Sequence, residues 1–169
     1  MNVGLPPVSA EPWPEPVARV SRALREAGAE ARIEEFAEGT PTAEDAARAV
    51  GCELSRIVKS LLFNCDGRPV LVLVPGDRRA DPQKVAALAG AAKARVAGAA
   101  EVEEATGYAP GAVAPFPLRR VERVLIERSL LVGGLLWVGA GSNRHMAGLP
   151  AAELVRVARA QPVDVVADV

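Results

Sequence analysis

Apolar residues at Val17, Val20, Ala23, Leu24 and Ala27 recur every three or four positions, which places them on one face of a helix starting near Glu15 and stopped by Gly28. Arg32 to Phe36 is expected as a short strand. Thr42, followed by Glu44 and Asp45, supplies an N-cap and an acidic first turn for a second helix that runs to Val50 and ends at Gly51. The period then changes. Arg56 to Phe63 reads Arg-Ile-Val-Lys-Ser-Leu-Leu-Phe, Pro69 to Val74 is a second β-type run, and Asp66-Gly67 between them is a strong hairpin signal. On a strand, Ile57, Lys59, Leu61 and Phe63 share one side and Val58, Ser60 and Leu62 the other, so Lys59 falls on the more apolar face.

Asp81-Pro82 opens a third helix through Leu88, Ala94 to Val96 reads as a short strand, and Glu101 to Ala105 as a short helix. From Gly107 to Pro117 three prolines and two glycines forbid a regular element and leave a shaped loop with exposed backbone. Val121 to Leu131 is expected as a strand pair or a bent strand carrying Glu127 and Ser129. Leu135 to Val138 follows as a strand broken by the run Gly139 to Asn143, then Pro150 to Ala160 as an amphipathic helix and Val163 to Val166 as a last strand. Residues 1–14, rich in proline, read as an extended arm docked by Trp13, and 15–169 as a single domain. Short strands and scattered helices without a steady β-α-β rhythm point to an α+β or mixed-barrel domain rather than a doubly wound sheet.

Composition narrows this reading. With 169 residues, 50% of them hydrophobic, the chain can bury a core without staples. The formal net charge of −1 gives no overall attraction to a polyanion, so nucleic acid would have to meet a local patch. Arg119, Arg120, Arg123 and Arg128 are candidates for one, a solvated face being the commoner explanation. Cys52 and Cys65 form no Cys-x-x-Cys pair, so neither a disulfide framework nor a zinc site is indicated. No apolar run approaches the ~20 residues that span a bilayer, no signal-peptide pattern is present, and a cytoplasmic location with no membrane partner is expected.

Several stretches invite a chemical reading. Lys59 is one of only three lysines among 20 basic residues, and a desolvated ammonium is costly unless it is paired or its pKa falls. Chemistry and edge-strand protection are equally good explanations of it. The run Gly139 to Arg144 lacks the third glycine of a dinucleotide fingerprint, and no Walker lysine follows either glycine-rich segment. Ser142 is outside a Gly-x-Ser-x-Gly elbow, and His145, the sole histidine, is expected to be a surface or packing residue. Backbone N–H groups of the 107–117 loop offer a cradle for a carbonyl oxygen or oxyanion, although an ordinary surface turn is the commoner reading. Glu127 reads as a solvated strand carboxylate before a partner for Lys59 or for a substrate amine.

The ordered set Thr42 to Ala47, Ile57 to Phe63, Val74 to Arg79, Thr106 to Phe116 and Ile126 to Leu130 resembles the YbaK/EbsC/ProX-type aminoacyl-tRNA deacylases, freestanding relatives of the editing domain of bacterial prolyl-tRNA synthetases. The resemblance covers about residues 15 to 160. It implies an α+β domain on a twisted, mixed, β-barrel-like sheet flanked by helices. The implied activity is trans-editing without metal or cofactor: hydrolysis of the ester between a wrong amino acid and the 3′-terminal adenosine of tRNA. The substrate most in keeping is proline tRNA carrying cysteine or alanine, with prolyl-tRNA synthetase as a possible partner. The family's essential lysine maps onto Lys59 and the following hydroxyl onto Ser60. Its glycine-rich substrate loop maps onto Gly107, Tyr108 and Gly111 through Pro115, its strand aspartate onto Glu127, and a later glycine segment onto Ala140-Gly141. Ser129, beside Glu127, joins the expected substrate-binding set. The implied mechanism is electrostatic: Lys59 orients the substrate, backbone N–H groups of Gly107 to Gly111 receive the developing charge, and water, assisted by the adenosine 2′-hydroxyl, or a substrate thiol attacks. A non-catalytic nucleotide, aminoacyl-tRNA or synthetase-binding module on the same fold is the alternative. Oligomeric state is left open by the sequence.

Overall fold

The computed structural model describes residues 13–168, so the expected proline-rich arm lies almost wholly outside the described residues. The helices are α1 (Glu15–Glu26), α2 (Ala43–Val50), α3 (Pro82–Ala89), α4 (Ala99–Thr106) and α5 (Ala151–Ala158). The strands are β1 (Arg32–Glu35), β2 (Val58–Cys65), β3 (Arg68–Pro75), β4 (Ala94–Val96), β5 (Arg123–Glu127), β6 (Leu135–Ser142), β7 (His145–Pro150) and β8 (Ala160–Val163). Local chemistry sets the boundaries. Thr42 accepts the Asp45 N–H at the start of α2, Gly51 closes that helix in the left-handed conformation, and Asp81 caps α3 through the Gln83 N–H. Asp66 and Gly67 both have positive φ, 53° and 87°, which lets the two-residue turn follow the twist of β2 and β3.

Two sheets form rather than a closed barrel, one ordered β4-β2-β3-β5-β8 and the other β1-β7-β6. In the larger sheet β2 pairs antiparallel with β3, placing Lys59 opposite Val74, whereas β3–β5 and β5–β8 are parallel. Helices cover both faces, so β3 is buried from Val70 to Pro75 and reads as an unbroken apolar run. Val58, Leu62, Leu71 and Leu73 enter the main core with Leu24 of α1, Leu154 of α5 and Val138 and Leu149 of the smaller sheet. Phe63, Val72 and Val74 face a second core with Val85 of α3 and Leu125. Strand β4 pairs only with Phe63, Asn64 and Cys65. The first half of β2 is therefore left at the sheet margin near β6, linked to the smaller sheet by the bridge between Ile57 and Trp137.

Three expected elements are redrawn. The bent strand over Val121 to Leu131 is β5 followed by a 3-10 turn, Arg128–Leu131, because Glu127 turns its carboxylate onto the Ser129 N–H and caps it. The glycine run does not break β6, which continues to Ser142 with a bulge between Gly139 and Ser142 and pairs with β7, a strand the sequence pattern did not reveal. The last strand lies earlier, at β8, and Val166 keeps only a bridge to Ala80.

Candidate functional site

A cavity of about 420 Å³ opens where the first half of β2, the entrance to α2, the 107–117 loop and the β6–β7 turn meet. Lys59 and Ser60 line it from β2, Thr42 and Ala46 from α2, Gly111 and Val113 from the loop, and Gly139, Ser142, His145 and Met146 from the smaller sheet. Lys59 is half-buried and donates from Nζ to the Arg78 carbonyl at 2.6 Å. Burial and the Arg79 guanidinium pull its pKa below the usual lysine value, against the opposing pull of Asp77 and Glu44. The Ser60 hydroxyl is buried and makes no hydrogen bond among the described residues.

The loop is held from behind. Tyr108, 1% exposed, donates from its hydroxyl to the Phe116 carbonyl at 3.0 Å, and the Arg19 guanidinium lies 5.0 Å above its ring. Gly107 caps α4 with φ of 84°, its N–H going to the Glu103 carbonyl and its own carbonyl accepting from Arg19 at 2.8 Å. The Tyr108 N–H goes to the Thr106 hydroxyl and the Ala112 N–H to the Ala109 carbonyl. The loop reaches the cavity at Gly111 and Val113, where Val113 rests on β6 so closely that a Cβ on Gly139 would lie 2.5 Å from its carbonyl oxygen.

Of the two expectations for His145, surface or packing, the structure shows a buried residue with polar partners. It is 4% exposed, meets the Ser142 hydroxyl through Nδ1 at 2.6 Å, and has Glu35 3.9 Å from Nε2. The Ser142 oxygen also accepts the Arg144 N–H at 3.0 Å, so the hydroxyl links the β6–β7 turn to the ring. Burial holds the His145 pKa below the usual histidine value despite Glu35.

The family model of the aminoacyl-tRNA editing domain matches residues 37–157, which contain every cavity residue named above. The chain belongs to this family. A proline–tRNA ligase of Maridesulfovibrio salexigens is 37% identical over 113 residues, covering 66% of this chain and 19% of the ligase. The protein YwhH of Bacillus subtilis is 36% identical over 123 residues, covering 72% of this chain and 78% of its own length. The editing domain thus spans about a fifth of the ligase and most of YwhH. A solved structure described as a candidate trans-editing enzyme for prolyl-tRNA synthetase superposes with a TM-score of 0.86 at 32% identity, covering 92% of this chain and 99% of that one.

Within this editing domain the expected site residues separate. Lys59, Ser60 and Gly111 meet in the cavity. Gly107, Tyr108 and Pro115 do not line it, and Tyr108 acts as a buried strut of the loop. Gly141 packs on α1, where a Cβ would come within 2.8 Å of the Pro16 backbone. Glu127 is not a surface carboxylate and does not meet Lys59. It is 4% exposed and accepts the Ser129 N–H at 2.9 Å and the Val165 N–H at 3.0 Å. Burial alone would raise its pKa, but these backbone donors outweigh that and hold it below the usual glutamate value. Ser129 is exposed and also away from the cavity. Three of the four arginines take separate partners, Arg120 with Glu104, Arg123 with the Leu88 carbonyl and Gln161, and Arg128 with Asp164, and Arg119 lies beside Gly107. Missed at the sequence level were Thr42, Gly139, His145 and Met146 as cavity residues. Only proximity across two sheets identifies them. Among the described residues no three His, Cys, Asp or Glu side chains gather as a metal site, and no helix is long and apolar enough to cross a membrane.

Proposed function

We propose that this editing domain is an aminoacyl-tRNA deacylase that hydrolyses the ester of mischarged tRNA in the cytoplasm, its preferred substrate being proline tRNA carrying alanine or cysteine. The observation that carries the reading is that Lys59, with one N–H on the Arg78 carbonyl and two to spare, lines one cavity together with Ser60, Gly111 and Val113. Water adds to the ester carbonyl and the bond to the ribose oxygen breaks; one proton of the water goes to that oxygen, making the hydroxyl, and the other to solvent as the amino acid leaves as a carboxylate. The Gly107, Tyr108 and Ala112 N–H groups are taken by Glu103, Thr106 and Ala109, and the donors assigned to the developing oxyanion are those of Gly111 and Val113, the loop residues that line the cavity. The Lys59 ammonium orients the aminoacyl-adenosine and offsets the same charge. Walls formed by Ala46, Ile57 and Met146 suit a small side chain. The hydrolysis is read as metal-independent, since no step calls for a Lewis acid. Kinship with proline–tRNA ligases supports proline tRNA as the carrier and the synthetase as a partner.

The test is a panel of mischarged tRNAs offered to wild type and Lys59→Ala. Deacylation of the small-residue esters by wild type and its loss in the variant are expected. Undiminished hydrolysis by Lys59→Ala, or protection of the ester by wild type, would overturn the reading.

A further inference from the structure

We propose that segment 164–168 is a brace that fixes the Lys59 ammonium in place, with Arg78 and Glu127 acting as positioning residues through it. The inference rests on the reading of Lys59 as the catalytic cation. Lys59 is held by a main-chain carbonyl, that of Arg78, in the turn joining β3 to α3. A carbonyl is only as well placed as the backbone that carries it, and this turn exposes Asp77 and Arg79.

The turn is fastened to segment 164–168 by bonds in both directions. The Asp81 N–H donates to the Val165 carbonyl at 2.9 Å, the Ala167 N–H to the Arg79 carbonyl at 2.7 Å, and the Arg78 guanidinium to the Ala167 carbonyl at 2.9 Å. The segment has its own anchors. Val165 and Val166 are buried, Lys84 donates to the Val166 carbonyl at 2.8 Å, and the Val165 N–H is received by Glu127 at 3.0 Å. Glu127 thus ties β5 to the segment, the segment ties down the turn, and the turn presents the acceptor for Nζ. This gives the buried carboxylate a purpose that its absence from the cavity leaves open. A charged acceptor for backbone N–H groups is stronger than a neutral one, as a rigid anchor requires.

Arg78→Ala removes the guanidinium tie and leaves the Arg78 carbonyl in the chain. It is expected to lower kcat for deacylation about tenfold or more, with KM within about twofold, because small displacements of a positioning group act on the transition state. Glu127→Gln, which keeps the volume and one acceptor, should do the same in milder form. Added to Lys59→Ala, Arg78→Ala should cost nothing further, since it acts only through Lys59. Proton exchange at the Lys59 ammonium, followed by ¹⁵N NMR without tRNA, should quicken in Arg78→Ala. An unchanged exchange rate, a wild-type kcat, or an equal loss of kcat in both Lys59 backgrounds would overturn the brace while leaving the deacylase reading intact. Full activity of Lys59→Ala alone would overturn that reading, and the exchange measurement still reports on the brace.

Discussion

Tyr108 ties the two ends of the 107–117 loop together behind the cavity by donating its hydroxyl to the carbonyl of Phe116, eight residues on, at 3.0 Å. Burial pushes that hydroxyl up to about 12, against the lowering pull of Arg19, so it remains a donor at any physiological pH. Tyr108→Phe leaves a buried carbonyl without its partner and should cost about 1–2 kcal/mol in denaturant unfolding. Deacylation should fall more than the loss of folded protein explains, because Gly111 and Val113 are carried by the same loop.

Gly139 permits the contact between β6 and the loop. A Cβ there would stand 2.5 Å from the Val113 carbonyl oxygen, and both partners are backbone, so neither can give way cheaply. Gly139→Ala should lower stability by about 1–3 kcal/mol. It should also displace Val113 from the cavity, read as a drop in kcat at a temperature where the variant is fully folded.

The pH dependence of folding reports on the Glu127 carboxylate. Its folded pKa lies below the unfolded value, so its contribution is fully present above the unfolded glutamate pKa of about 4.3 and is lost as pH falls through the depressed folded value. Glu127→Gln should therefore be less stable than wild type near neutrality, with the gap narrowing in acid below pH about 4. Denaturant midpoints across that range check it; a constant gap would mean that the charge is immaterial.

His145 acts in the opposite quarter. Its folded pKa is depressed, so between the folded value and the unfolded value of about 6.5 the unfolded chain binds more protons and stability falls with falling pH. His145→Gln should remove that slope. Ser142→Ala should keep the slope, because burial is the main cause of the depressed value. Unfolding free energies from about pH 5 to 7 give the comparison.

Much of the fold was legible because its signals are local. The caps at Thr42 and Asp81, the stops at Gly51 and Gly28 and the Asp66-Gly67 turn each depend on a few neighbouring atoms, and they fall where the pattern put them. Strand β7 was not legible. Its residues His-Met-Ala-Gly-Leu-Pro carry little β-type character, and the strand exists because β1 and β6 pair with it on either side. The glycines at 139 and 141 read as a break, yet they admit Val113 and α1 to a continuous strand.

The sequence by itself determined the helices, the hairpin that carries Lys59 and, through its ordered motifs, the family. These follow from periodicity, capping and turn chemistry, which act over a few residues. Only the tertiary structure decided that Thr42, His145 and Met146 line the same cavity as Lys59, that Glu127 faces the Val165 N–H instead of the cavity, and that the lysine's acceptor is a carbonyl nineteen residues away. Contacts of that kind depend on how two sheets and their loops come together, and side-chain alternation along one strand holds no record of which backbone will lie opposite.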